Sequence, residues 1–205
     1  MCYRTQMNKT IAEIEKAFNA KFVEPESYVP QDEINGFTFI KTPVITDESR
    51  GEIDLLHWGL IPFWAKEDSI KKNTLNARIE TLKEKPAFRN SVENRCLVLA
   101  NAYYEWQWLD NKGKQKQKFF ITPRDQEIFA FAGIYSSWKN PDTGELINSY
   151  SIITTEANEL MSTIHNHKKR MPVVLKQEDR NSWLAGDELN NFAFPYEVAL
   201  QAKPV

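Results

Sequence analysis

The chain has 205 residues, enough to bury the core of one domain, and its 41% hydrophobic and 26% charged residues are typical of globular proteins. A formal net charge of −2 excludes binding of polyanions over the whole surface, so any contact with nucleic acid must use a local patch. The start lacks the apolar run of a secretory signal, no segment is long and apolar enough to span a membrane, and two cysteines exclude a disulfide framework. We expect a soluble, cytoplasmic monomer that needs no cofactor.

The predicted elements begin with a helix over residues 9–18, where Ile11, Ile14 and Phe18 recur at helical spacing. Residues 23–36 contain two prolines and a glycine and are predicted to form a loop. Short apolar runs then predict strands, which in chain order are FTFIKTPVIT, IDLLHWGLIP, RCLVLANAYYEWQW, KFFITP, IFAFAGIYSSW, SYSIITT and MPVVL.

Turns and further helices separate these strands. Turns that contain glycine are predicted at 110–114 and 140–145, each between two strands. The later helices are predicted at 78–85, 156–163 and 178–185. The pattern indicates one α+β domain over residues 1–205, with a mostly antiparallel sheet that curls into a barrel and a few flanking helices.

The cysteine at residue 2 is the most informative position for chemistry. Once the initiator Met1 is removed, Cys2 carries an amine and a thiol on adjacent carbons. The amine can condense with an aldehyde to an iminium, and the thiol then closes a five-membered thiazolidine in an effectively unimolecular step. Ordinary pKa values of about 7.7–8.0 for the amine and about 8.5 for the thiol leave a minority of each group reactive at neutral pH, so a nearby base is expected. The alternative is a cysteine that stands at the start by accident.

Two further segments place polar groups among predicted strands. Asn76 can cap a helix and Arg78 can bind a phosphate, in the run NARIET. Glu105 ends an apolar strand in the run YYEW. Burial among aromatic rings would raise the pKa of Glu105 and suit it to acid–base catalysis, whereas on an edge strand it would only face solvent.

A third polar segment follows a predicted helix, where IHNHKKRMP holds His165, His167 and three cations. The two histidines suggest a metal, but no third ligand accompanies them, so no metal site is predicted. A solvated loop is the alternative. The remaining histidine, His57, and Cys96 both lie in apolar runs and are predicted to be buried in the core.

Together these segments resemble the SRAP family, the SOS response-associated peptidases, whose members shield abasic sites in DNA. The matching segments run in family order over nearly the whole chain. They are the Met-Cys start, WGLIPFWA at 58–65, NARIET at 76–81, EKPAF at 84–88, RCLVLANAYYEW at 95–106, FAGIY at 131–135, TTEANELM at 154–161, and IH followed by RMPVVL.

The resemblance implies a role for each matching residue. Cys2 is the expected nucleophile, Asn76 positions the substrate or the terminal amine, Glu105 is the acid–base carboxylate and His165 is a second proton-transfer group. The residues expected at the DNA are Arg4, Arg78 and Arg170 for phosphates, and Trp64 and Trp106 for stacking on a flanking base.

The chain departs from the family pattern twice. Tyr3 replaces the glycine of the usual Met-Cys-Gly-Arg start, and its ring is expected to take up space near the site. The segment NHKK separates His165 from Arg170, where the family has a shorter spacing. This insertion leaves His165 and His167 as competing candidates, of which His165 is favoured because it directly follows Ile164.

The function implied is covalent capture of abasic sites in single-stranded DNA by Cys2. A stable thiazolidine crosslink would protect the lesion from strand cleavage. The resemblance also implies autoproteolytic removal of Met1, lyase-type Schiff-base chemistry and partners at the replication fork. Three alternatives stay open: a cysteine-dependent autoprocessing peptidase, a noncovalent module for single-stranded DNA, and an N-terminal-nucleophile amidohydrolase.

Overall fold

The computed structural model describes residues 2–205. Its strands are β1 (Arg4–Met7), β2 (Lys21–Phe22), β3 (Gln31–Asn35), β4 (Lys41–Thr46), β5 (Glu52–Trp58), β6 (Asn76–Arg78), β7 (Arg95–Ala100), β8 (Ala102–Trp108), β9 (Lys116–Pro123), β10 (Phe129–Lys139), β11 (Leu146–Glu156), β12 (Arg170–Pro172) and β13 (Leu200–Pro204). Its α-helices are α1 (Ile11–Phe18), α2 (Glu159–Ile164) and α3 (Arg180–Leu184). Within residues 2–205, every helix is too short or too polar to cross a membrane.

Five strands form a closed barrel in the neighbour order β11, β10, β7, β4 and β5. The ring closes because β5 pairs in parallel with β11, so that His57 lies opposite Ser149 and Trp58 opposite Tyr150. Every residue of β7 is buried, which explains the unbroken apolar run of this strand. The rings of Trp58 and Tyr150 stack in the core with centroids 6.3 Å apart. The predicted α+β fold with a barrel-like, mostly antiparallel sheet is confirmed.

Cys96 lies on β7, opposite Gly133 of the neighbouring barrel strand β10. It is fully buried, as predicted. A Cβ atom at Gly133, on the neighbouring strand β10, would come within 2.8 Å of the Cys96 Sγ. The two strands can pack this closely because residue 133 is glycine.

A second, five-stranded sheet carries the start of the chain, in the order β13, β9, β8, β1 and β3. Its strands pair antiparallel throughout. Only Asn101 separates β7 in the barrel from β8 in this sheet, so one apolar run of sequence serves both layers. Because β1 lies between β8 and β3, Cys2 enters the sheet beside the middle of β8.

The predicted helices at 9–18 and 178–185 are confirmed as α1 and α3. The helix predicted at 156–163 is α2, which begins only at Glu159. A capping box starts α1, because the side chains of Thr10 and Glu13 each accept a hydrogen bond from the other's backbone amide.

The predicted loop at 23–36 and the predicted helix at 78–85 are wrong. The first segment contains β3, which pairs with β1. The second forms only a short 3-10 turn at Ile79–Thr81. This turn follows directly on β6, whose residues pair in parallel with β11, and Pro86 soon follows it, so a regular helix has no room. Asn76 therefore lies in a strand, and its predicted role as a helix cap is also wrong.

Candidate active site

Cys2 lies two residues before the start of β1 and is fully buried. Its thiol donates a hydrogen bond to the backbone carbonyl oxygen of Arg4 at 3.7 Å. Burial raises the pKa of the Cys2 thiol well above its ordinary value, and the negative charge of Glu105 raises it further. The thiol is therefore protonated at neutral pH, and any reaction at sulfur needs a group that takes its proton.

Asn76 holds the backbone of Cys2 in place. The side-chain Nδ2 of Asn76 donates a hydrogen bond to the Cys2 carbonyl oxygen at 2.8 Å. Asn76 is the first residue of β6, and its pairing opposite Ile152 of β11 fixes it to the barrel. The barrel thus positions the start of the second sheet through one amide side chain.

Glu105 is the buried carboxylate of the site and is only 4% exposed. Burial raises the pKa of its carboxyl from the ordinary 4.5 to about 7. Glu105 also raises the pKa values of the neighbouring Cys2 and Tyr3 side chains through its charge. A carboxyl that is part ionised at neutral pH can both accept and donate protons there. The alternative in which Glu105 faces solvent is wrong.

His165 directly follows the last residue of α2 and is 8% exposed. Its Nδ1 lies 2.8 Å from the Arg170 carbonyl oxygen and 3.2 Å from the Arg170 amide nitrogen. The shorter contact fits a proton on Nδ1 that is donated to the carbonyl, which makes Nε2 the basic nitrogen. Burial lowers the pKa of His165 to about 4, and the positive charge of Lys168 acts in the same direction. The imidazole is therefore neutral at neutral pH.

Helix α2 is packed against the strand that carries Glu105. Tyr103, two residues before Glu105 in β8, donates a hydrogen bond from its hydroxyl to the Met161 sulfur at 3.4 Å. Both side chains are fully buried. The Asn158 side chain accepts a hydrogen bond from the Met161 amide at 2.9 Å and caps the start of α2. These contacts set the direction in which α2 delivers His165.

Arg170, which is predicted to bind a DNA phosphate, is paired within the protein in this structure. Its guanidinium makes two hydrogen bonds of 2.8 Å to the two carboxylate oxygens of Glu80 and a third of 2.8 Å to the Thr154 carbonyl oxygen. Arg170 is 7% exposed, so a phosphate could reach it only after this pair is broken. In this structure Arg170 ties the loop that ends α2 to the Ile79–Thr81 turn, and its backbone contacts His165. Its contact with a DNA phosphate stays a prediction.

Tyr3 occupies space beside the site, as its substitution for glycine suggests. Its ring contacts the Phe37 ring with centroids 5.0 Å apart. Burial raises the pKa of the Tyr3 hydroxyl, and the charge of Glu105 raises it further. The Tyr3 side chain thus packs against Phe37, directly after Cys2 in the chain.

The other residues predicted to contact DNA lie nearer the surface. Arg78 is exposed at the end of β6, two residues after Asn76. Trp64 is 45% exposed. Arg4 and Trp106 are partly exposed on the second sheet, with the Arg4 Cζ 5.9 Å from the centre of the Trp106 ring. Their contact with DNA stays a prediction.

The inserted segment between His165 and Arg170 is docked on the hairpin of β8 and β9. The His167 ring stacks on the Trp108 ring with centroids 3.7 Å apart and 10° between planes. The Asn166 side chain accepts a hydrogen bond from the Trp108 amide at 3.0 Å and donates one to the Trp108 carbonyl at 2.9 Å. His167 is exposed, so the structure favours His165, which is buried, as the site histidine.

Sequence reasoning missed the partners that hold these residues. Glu80 stands inside the quoted NARIET segment, but nothing in the sequence pairs it with an arginine 90 positions later. Phe37 is the first residue of the predicted strand FTFIKTPVIT, and nothing in the sequence indicates that it contacts Tyr3. Only Tyr103 had a usable signal, because residues two apart in a strand share a face with Glu105.

The sequence of the whole chain also matches a known protein family. Residues 1–205 match the family model described as SOS response associated peptidase (SRAP). The chain belongs to this family.

Named relatives and solved structures support the same assignment. The abasic site processing protein YoqW of Bacillus subtilis (strain 168) is 39% identical over 205 residues, which cover 97% of this chain and 88% of the relative. The abasic site processing protein HMCES of Xenopus tropicalis is 32% identical over 161 residues, which cover 67% of this chain and 46% of the relative. A crystal structure of a protein from Bacteroides thetaiotaomicron aligns with a TM-score of 0.89 and 34% identity, over 100% of this chain and 92% of that chain.

Proposed function

We propose that this chain processes abasic sites in DNA, and that it does so by covalent capture through Cys2 after Met1 is removed. Relatives over nearly the full length of the chain are named abasic site processing proteins, which supports the substrate. The observation that carries the chemistry is a buried carboxyl, Glu105, with a pKa of about 7 beside a cysteine at residue 2. Met1 itself lies outside the described residues.

The proposed reaction joins an amine, an aldehyde and a thiol. An abasic site in its ring-opened form presents an aldehyde at the sugar. The freed amine of Cys2 adds to this carbon, the resulting carbinolamine loses water to an iminium, and the Cys2 sulfur then adds to the same carbon as its proton leaves. One water is released and a thiazolidine remains, with one C–N and one C–S bond to the former aldehyde carbon.

Glu105 is suited to move the protons in these steps. In its protonated form it can donate to the departing hydroxyl of the carbinolamine, and in its ionised form it can accept the thiol proton. Both forms are populated near neutral pH because the pKa is about 7. The neutral His165, with Nε2 as its basic nitrogen, is proposed to assist opening of the sugar ring.

Closure of the thiazolidine explains why capture would protect the strand. An open iminium acidifies the adjacent sugar protons and favours elimination of the 3′ phosphate, which is the lyase-type outcome. Addition of the Cys2 sulfur removes the iminium. We propose that the stable crosslink, and not turnover, is the product of this site.

DNA contact is proposed at Arg4, Arg78 and the exposed Trp64. Cations there would bind phosphates, and the indole would stack on a base beside the lesion. Initial binding should weaken with salt because phosphates release counterions when they are neutralised, whereas the covalent adduct should not.

We also propose that the same site removes Met1, as the family description peptidase suggests. The test is the intact mass of the purified chain and of Glu105→Gln produced in a host that lacks other means of trimming this start. Retention of Met1 only in Glu105→Gln supports self-processing. Removal of Met1 from both the unmodified chain and Glu105→Gln would assign this step to another enzyme. That result would not affect the capture proposal.

The capture proposal is tested with a single-stranded oligonucleotide that carries one abasic site. Mature chain, confirmed by mass, is mixed with it and run on a denaturing gel beside Cys2→Ala and Cys2→Ser. We expect a shifted band that survives heat and detergent with the unmodified chain only, because both variants lack the thiol that closes the ring. If the unmodified chain and both variants bound the DNA equally well and none gave a shifted band, the result would favour a noncovalent module for single-stranded DNA. Turnover of a peptide would favour the peptidase.

A further inference from the structure

An ion-pair network on the second sheet has no part in the capture chemistry proposed above. The Glu33 carboxylate accepts a hydrogen bond from Arg4 at 2.6 Å through Oε1 and one from Lys118 at 2.6 Å through Oε2. Arg4 belongs to β1 and Lys118 to β9, the two strands that flank β8. One carboxylate therefore bridges two cations that come from opposite sides of the same strand.

The two cations lie over aromatic rings of β8. The Arg4 Cζ is 5.9 Å and the Lys118 Nζ 5.7 Å from the centre of the Trp106 ring. Lys118 also lies 4.2 Å from the centre of the Tyr104 ring. Tyr104 is buried, and Trp106 is partly exposed. A partly exposed aromatic ring with cations beside it is an arrangement that binds single-stranded nucleic acid, with a base against the ring and phosphate beside the cations. In this chain, the Glu33 carboxylate lies between the two cations and accepts a hydrogen bond from each.

We propose that Glu33 occupies the position of a DNA phosphate between Arg4 and Lys118 and thereby lowers the affinity of the chain for undamaged single-stranded DNA. A carboxylate, like a phosphodiester, carries one negative charge and offers two oxygens to donors. The two groups therefore compete for the same pair of cations. The proposal rests on the proposed function in one respect, that a DNA strand passes the start of β1 next to Cys2.

The exposure of the network makes this competition reversible. The side chains of Arg4, Glu33 and Lys118 are 37%, 31% and 27% exposed. Ion pairs in such positions are weak, so a phosphate can displace the carboxylate at a small cost in affinity. An undamaged strand bears this cost at every encounter, whereas a captured lesion is retained by a covalent bond. Glu33 would thus favour lesions over the excess of intact DNA.

The experiment measures equilibrium binding of a fluorescent, undamaged single-stranded oligonucleotide by anisotropy. Full-length chain with Cys2→Ala is compared with Cys2→Ala/Glu33→Gln over a series of salt concentrations. We expect the second protein to bind about three- to tenfold more tightly at low salt, because the phosphate no longer displaces a carboxylate. The gain should shrink as salt screens these exposed charges.

Two further variants separate the bridge from net charge and from folding. Glu127→Gln removes an exposed carboxylate that is paired with Lys9, two residues beyond the end of β1, and it changes net charge by the same amount. Glu33→Asp keeps the charge but shortens the side chain, so it should lose the bridge and gain part of the affinity. Thermal unfolding midpoints confirm that each variant is folded.

The outcomes either support or overturn the proposal. Tighter binding with Glu33→Gln and Glu33→Asp, but not with Glu127→Gln, supports it. Equal gains with both glutamine variants would show an effect of net charge alone, and unchanged or weaker binding with Glu33→Gln would show that Glu33 only organises the cations; either result overturns it. Because the DNA has no lesion and Cys2 is absent, failure of covalent capture would not alter this result.

Discussion

The two faces of β8 differ in how far their polar groups are exposed to solvent. On one face, Tyr103 and Glu105 are buried, and burial moves the pKa of the Glu105 carboxyl to about 7. On the other face, Trp106 is partly exposed beneath Arg4 and Lys118. Alternate residues of a strand point to opposite faces, so a single short run of sequence supplies both environments.

This difference predicts how each face responds to solution conditions. The buried carboxyl of Glu105 should make its face respond to pH near neutrality, because burial moves its pKa into that range. Exposed cations respond to salt, because mobile ions screen them. We therefore expect the capture step to depend on pH and the initial DNA contact to depend on salt, and the two dependences should be separable by substitution on one face at a time.

The largest expected effect is on the rate of capture in Glu105→Gln. Glutamine keeps the shape of the side chain but cannot exchange a proton, so the single-turnover rate of crosslinking should fall by about 100-fold, the lower end for loss of an acid–base group. The rate of the unmodified chain should change through pH of about 7, where Glu105 titrates, and that change should be absent in the variant. Quenched time courses on denaturing gels measure both.

Glu145→Gln, in an exposed turn, is the matched control for this substitution. It should crosslink at the unmodified rate. A Glu105→Gln variant as fast as this control would remove Glu105 from the chemistry and leave it a buried structural group.

The same substitution should stabilise the fold at neutral pH. Between pH of about 4.5 and 7 the unfolded chain has released the Glu105 proton while the folded chain still holds it, so stability falls as pH rises across this window. A pKa raised from 4.5 to about 7 corresponds to about 3 kcal/mol. Glutamine cannot ionise, so urea denaturation at pH about 7.5 should show Glu105→Gln more stable by about that amount.

This stability difference should vanish near pH 4, where the carboxyl is protonated in both states. An advantage for Glu105→Gln that is independent of pH would point to better packing of glutamine and would contradict the ionisation argument. A variant that is slower yet more stable would show that the site keeps an unfavourable buried charge for its chemistry.

Loss of the Arg170 pair should have the next largest effect. Arg170→Met keeps the aliphatic packing but removes the guanidinium that Glu80 and the Thr154 carbonyl share. Fully buried pairs lose about 3–5 kcal/mol when one partner is removed, and we expect about 2 kcal/mol here because the Glu80 side chain is 35% exposed. Urea denaturation gives the value directly.

Arg78→Met is the control, because Arg78 is exposed at the end of β6. Its stability should stay within about 0.5 kcal/mol of the unmodified chain. If instead Arg170→Met were stable and lost affinity for single-stranded DNA, the result would support the phosphate contact that the family resemblance implies.

The contrast between the two faces also explains how much could be predicted from sequence. The barrel strands, α1 and α3 could be predicted from local periodicity and apolar runs. Cys2 and Glu105 could be identified because a cysteine beside the initiator and a carboxylate in an apolar strand are not needed to form the fold. What failed depends on pairing across the chain. β6 replaces a predicted helix because it pairs with β11. The pair between Arg170 and Glu80, which are 90 residues apart, likewise has no signal in the local sequence.

The smallest expected effect separates the two histidines of the inserted segment. His165 is buried with a pKa of about 4, whereas His167 is exposed and stacked on Trp108. His167→Gln should therefore leave the crosslinking rate within about twofold, while His165→Gln should slow it by about tenfold or more through loss of the basic Nε2. Asn166 still binds the Trp108 backbone in His167→Gln, so the segment should stay docked. A reversed result, with the exposed histidine essential, would mean that the segment moves to bring His167 to Cys2, and that the docking on the outer hairpin seen here is a resting arrangement.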